Sequence, residues 1–75
     1  MNNFENIIEL VTWSEKLSEA EISITDISGK TIKNLNVPLT IGNNNLEIPV
    51  NNLQPGVYIA ALSSNGQTKR IKFVK

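Results

Sequence analysis

"LQPGVYIAAL", residues 53–62, opens on turn chemistry and closes on six apolar or aromatic residues in succession, Val57 to Leu62. A strand with one solvated face alternates in hydropathy, so an unbroken run has cover on both sides. Either this strand sits between two layers, or its outer face meets something beyond the fold. Just upstream, Pro55 and Gly56 suit the two central positions of a type II turn. Just downstream, Asn65-Gly66 is the strongest short-range hairpin signal in the chain. It leads into residues 69–74, where Ile71 and Phe73 share one face and Arg70 and Lys72 the other.

The rest of the chain repeats this rhythm of short β-like runs between turns. Residues 6–12 place Ile8 and Leu10 on one face. Residues 20–27 alternate clearly, with Ile22 and Ile24 on one face and Glu21, Ser23 and Thr25 on the other. A bend at Asp26–Lys30 follows, where Gly29 accepts a positive φ. Residues 31–37 form a third run, anchored by Ile32 and Leu35, with Pro38 just beyond it. After the reversal at Gly42–Asn45, Leu46, Ile48 and Val50 alternate again, and Pro49, which cannot donate to a ladder, belongs on a sheet edge or facing solvent. Trp13, Leu17 and Ala20 fall at helical spacing, yet the segment is short, and a loop or edge extension is the reading adopted. Strands at about ten-residue spacing indicate an all-β fold, an antiparallel sandwich or a small barrel of about six to seven strands.

Seventy-five residues make one domain. The chain has neither cysteine nor histidine, which removes disulfides, thiolate chemistry, the commonest metal ligand and the commonest general base. Seven basic and seven acidic side chains cancel, so no net field draws in nucleic acid or an anionic membrane. No apolar run approaches the roughly 20 residues of a membrane span. The carboxylates Glu5, Glu9, Glu15, Glu19, Glu21, Asp26 and Glu47 are scattered over several elements and read as solvated faces. Asp26 and Glu47 lack the regular acidic spacing of a calcium loop. The reading is therefore no enzyme, no metal and no cofactor, and no nucleic acid among the partners.

Three stretches taken together resemble a known family. They are "ISITDISGKTIKNL" with Asp26, Gly29 and Lys30, "NNNLEIPVNNLQPGVYIAAL" with Leu53, Gly56, Val57 and Tyr58, and "NGQTKRIKFVK" with Lys69, Ile71, Phe73 and Lys75. Their order and spacing resemble the C-terminal sorting domain of the type IX (Por) secretion system, and the resemblance covers nearly the whole chain. At the start, Asn3-Phe4 stands where the family often has Asn-Pro-Phe. The resemblance implies an immunoglobulin-like sandwich at the end of a larger secreted parent. It implies an address, read by an outer-membrane translocon and in many members followed by a surface sortase, for a cargo that passes the periplasm to the cell surface or the medium.

On that reading Asp26, Gly29, Lys30, Leu53, Gly56, Val57, Tyr58, Lys69, Arg70, Lys72 and Lys75 are the recognition candidates. The hook-capping immunoglobulin-like domain of flagella shares the Asp-x-x-Gly and Gly-Val-Tyr pattern, and is the structural rival. A carbohydrate-binding or adhesive module is the other, with Trp13 and Tyr58 as its aromatics. For the opening run, the expectation is that Val57, Ile59 and Ala61 join Ile22, Ile24, Ile48, Ile71 and Phe73 in the core. Tyr58, Ala60 and Leu62 would then form an exposed apolar face for the translocon, the parent protein or a second copy of the domain.

Overall fold

The computed structural model describes residues 7–75, and the reversals the sequence marks are where the chain turns. At the first hairpin bend the Asp26 carboxylate Oδ1 accepts hydrogen bonds from Ser28 N (3.0 Å), Ser28 Oγ (2.7 Å) and Lys30 N (3.0 Å). One carboxylate thus replaces three backbone or hydroxyl contacts with water and folds the loop onto itself. At the last hairpin Asn65 and Gly66 have φ of 52° and 79°, the paired positive values of a type I′ turn. That turn's twist matches the flanking strands and fixes their register as Ser64 opposite Gln67.

Six strands result: β1 Ile7–Ser14, β2 Ser18–Asp26, β3 Thr31–Leu39, β4 Gly42–Pro49, β5 Val57–Ser64 and β6 Gln67–Val74. They make two antiparallel sheets, β1-β4 and β3-β2-β5-β6, in an all-β sandwich of 36 × 31 × 16 Å. β2 and β5 are the central strands of the larger sheet. The alternating residues of β1, β2 and β4 meet between the sheets, where Ile22, Ile24, Leu39, Ile48 and Val50 are completely buried. Leu10, Ala20, Leu46 and Leu53 complete that layer. Burying a side chain of this size contributes about 1.5–3 kcal/mol, and a domain this small depends on each.

The opening run is central, as its unbroken hydropathy requires, but its two faces are the reverse of the expectation. Tyr58, Ala60 and Leu62 are buried in the core, whereas Val57, Ile59 and Ala61 lie half-buried on the outer face of the larger sheet. The hairpin register is the cause: it sets Tyr58 opposite Phe73, Ala60 opposite Ile71 and Leu62 opposite Lys69. Directly opposed residues share a face, so Ile71 and Phe73 take Tyr58, Ala60 and Leu62 inward with them. Tyr58, Ala60 and Leu62 are therefore not a contact surface.

Three smaller corrections have similarly local causes. A bulge between Ile24 and Thr25 pairs Ile24 with Lys33 and Thr25 with Thr31, which leaves Ile32 without a partner in the ladder and 40% exposed, with Leu35, Val37 and Leu39 as the inner face of β3. Pro38 lies within β3, permitted because β3 is a sheet edge. The turn before β5 is one of Val50–Leu53, closed by Leu53 N to Val50 O (3.1 Å), with Asn51 and Asn52 at its centre. Gly56, at φ 159°, is nearly extended and continues the ladder instead of making a type II turn. No helical turn forms in the stretch after Trp13, and β2 already begins at Ser18. The expected start of the first strand at Asn6 and the Asn3-Phe4 pair lie outside the described residues.

Candidate functional site

The strand directions bring the distant sequence motifs to one end of the sandwich. β2 ends at Asp26, directly opposite Tyr58 at the start of β5, and Tyr58 is directly opposite Phe73 near the end of β6. The rings of Tyr58 and Phe73 stack at 5.6 Å between centroids. The Tyr58 hydroxyl donates to the Gln54 carbonyl at 2.6 Å, which gives its buried polar tip a partner and bends the 53–57 segment around the ring. Gly56 and Lys75 then exchange two backbone bonds, Gly56 N to Lys75 O (3.1 Å) and Lys75 N to Gly56 O (2.8 Å). The Asp26–Lys30 bend, the Leu53–Tyr58 corner and the Phe73–Lys75 strand end are thereby one continuous surface.

A cavity of about 370 Å³ lies at this end, lined by Asp26, Lys30, Ile32, Leu53, Gln54 and Tyr58 among others. The Ser28 hydroxyl, then the Lys30 backbone N–H, hold the Asp26 carboxyl below its ordinary range. Asp26 is accordingly ionised at neutral pH, with its Oδ1 engaged by its own turn. Leu53 and Tyr58 are buried, so they shape the corner from within, while Lys30 is exposed beside it.

The remaining candidates do not gather here. Arg70 and Lys72 stand on the outer face of the larger sheet, opposite Ala61 and Ile59. Val57 and Val74 are opposed on that same face, and Val74 is exposed. Lys69 points to the inner side and lines a separate cavity of about 170 Å³ with Leu10, Val11, Ala60, Leu62 and Ile71. Sequence reasoning missed Gln54, Ile59 and Val74 as parts of the exposed or corner-forming surface. The Asn65-Gly66 turn contained the signal, since counting outward from a two-residue hairpin assigns every pair on β5 and β6. Among the described residues no group of three or more His, Cys, Asp or Glu assembles as a metal site.

Residues 3–75 match the family model of the secretion system C-terminal sorting domain. The chain belongs to that family. No significant match exists among the curated proteins or the solved structures. Membership makes this domain a sorting signal for type IX secretion. It implies a parent cargo protein, the type IX machinery as partner, and a destination at the cell surface or outside the cell.

Proposed function

We propose that the sorting domain is a non-catalytic label whose read surface is the end of the sandwich where the three motifs converge. The carrying observation is the pairing of Asp26 with Tyr58 together with the Gly56–Lys75 ladder, which joins segments far apart in sequence. Shape at this end comes from side chains turned inward: Asp26 closes the bend, and Leu53 and Tyr58 set the corner. Charge comes from Lys30 and Lys75 at the end and from Arg70 and Lys72 on the adjoining outer face, beside half-buried Val57 and Ile59. The outer-membrane translocon reads this surface after the domain folds in the periplasm. A surface sortase acts on the parent only afterwards, and Lys69, facing the inner side, contributes no contact.

The test is an export assay. Residues 2–75 are fused behind a signal-peptide-bearing fluorescent reporter in a type IX-competent bacterium and in a translocon-deficient strain. Fluorescence at the surface or in the medium of the competent strain alone is the expected result. Retention of a folded fusion in the periplasm of both strains would overturn the reading and favour a structural module. The double variant Lys72→Glu, Lys75→Glu leaves the core untouched and should reduce export severalfold. Unchanged export would remove the strand's charge from the recognised surface.

A further inference from the structure

The end of the sandwich opposite the sorting motifs carries the chain's one tryptophan, which stands outside the buried core. Trp13 projects from the outer face of β1 and is 64% exposed, while Leu10, Thr12 and Ser14 of the same strand face inward. Exposure alone assigns nothing, since Leu17, Ile27 and Val74 are more exposed still; what sets Trp13 apart is a flat aromatic face beside a polar cleft. Beside the indole lies a cleft of about 390 Å³, whose other walls are Glu15 from the β1–β2 bend and Asn65 and Gln67 from the β5–β6 hairpin.

The walls come from both sheets, and one buried hydroxyl ties them together. Ser14 is 1% exposed, and its Oγ donates to Lys16 O at 2.7 Å and meets Ser18 Oγ at 3.1 Å, which fixes the bend that carries Glu15. The same oxygen accepts from Asn65 Nδ2 at 3.4 Å, which draws the hairpin tip toward β1. The bend and the Asn65 wall are therefore fixed before any ligand arrives, and preorganisation of this kind lowers the ordering cost of binding.

The lining selects the ligand. A flat indole face packs against a flat apolar face, while amide groups and a carboxylate pair with hydroxyls that both donate and accept. Neither lysine nor arginine lines the cleft, which disfavours a phosphate or an acidic sugar, and the absence of aliphatic walls disfavours an apolar peptide. A pyranose ring has the matching pattern, an apolar C–H face with equatorial hydroxyls around its rim. We infer that Trp13, Glu15, Asn65 and Gln67 form a binding site for a neutral sugar unit of a polysaccharide. The site is remote from the sorting motifs and does not depend on their reading.

Because Trp13 is the sole tryptophan, its fluorescence reports on the cleft directly. The 75-residue chain is titrated separately with cellohexaose, laminarihexaose, xylohexaose and mannohexaose. At least one should shift or quench the emission saturably, with a dissociation constant on the order of 0.1–1 mM, as suits a shallow site. Gln67→Ala should weaken that constant about fivefold or more. Trp13→Ala should abolish binding, read by the amide NMR shifts of Asn65 and Gln67, with an unchanged circular-dichroism spectrum. No saturable response to any of the four sugars would overturn the proposal, and so would a response indifferent to Gln67→Ala.

Discussion

The two flanks of the sandwich, β3 against β4 and β1 against β6, are closed by different means. On the first, β3 passes into β4 through Thr40 and Ile41 alone. Asn44 fills that corner: its Oδ1 accepts from Thr40 N (2.9 Å) and Thr40 Oγ1 (3.2 Å), and its Nδ2 donates to Thr40 O (3.0 Å) and Gly42 O (3.0 Å). Leu39 is buried beside it, and Lys33 Nζ donates across the flank to Pro49 O at 2.8 Å. On the second flank, β1 and β6 come from opposite ends of the described chain. Between them lies the cavity lined by Leu10, Val11, Lys69 and Ile71, and Ile71 remains 47% exposed. A two-residue link closes a short loop at little entropic cost and keeps the partners of a polar network together. Strands that meet only through tertiary packing have burial alone to hold them, and a two-stranded sheet cannot cover all four strands of the other.

The contrast predicts a graded response to truncation. Leu39→Ala removes a completely buried side chain from the closed flank and should cost about 2–4 kcal/mol, measured by urea denaturation. Asn44→Ala should cost about 1–3 kcal/mol by the same measurement, because Thr40 N and O are left without partners in a part-buried corner. Ile71→Ala, on the open flank, should cost only about 1 kcal/mol, since nearly half of that side chain is already in water. Equal losses for Leu39→Ala and Ile71→Ala would show that the cavity closes in solution and that the flanks do not differ.

The same contrast explains what the sequence disclosed. Strands lined by strict alternation, such as Ile22 and Ile24 or Leu46 and Ile48, announce their buried face directly. The Asp26 bend and the Asn65-Gly66 hairpin do so as well, because their chemistry is local. β5 does not alternate: all of Val57 to Leu62 are apolar or aromatic, so hydropathy leaves its parity open, and only the hairpin register decides it. Ile32 looks like an anchor, yet a bulge opposite Ile24 and Thr25 drops it from the ladder and leaves it 40% exposed, and bulges have no reliable composition signal. Of the recognition candidates, the motif residues at one end were legible as motifs. That Leu53 and Tyr58 face inward follows from strand pairing, which no single segment encodes, whereas alternation within β6 already separates Lys69 from Arg70 and Lys72.

The smallest effect concerns the bend that launches β3, the edge strand of the closed flank. Asp26 has a folded pKa below its ordinary value of 3.8, with the Ser28 hydroxyl as the leading cause and the Lys30 N–H next. A depressed folded pKa means that the unfolded chain binds the proton more readily, so Asp26 stabilises the fold fully at pH well above 3.8. That contribution falls away as the pH drops from there through the folded pKa. An NMR titration of the Asp26 carboxyl should therefore find a midpoint below 3.8. In Ser28→Ala the midpoint should rise toward that value, because the donor that favours the charged form is gone. Asp26→Asn should flatten the acid limb of the stability profile while Leu39 and Asn44 keep the closed flank intact. If Asp26→Asn instead loosened Asn44's network, seen as faster amide exchange at Thr40, the bend and the flank would be one cooperative unit, and the closed side would owe part of its order to a carboxylate at the far end of β3.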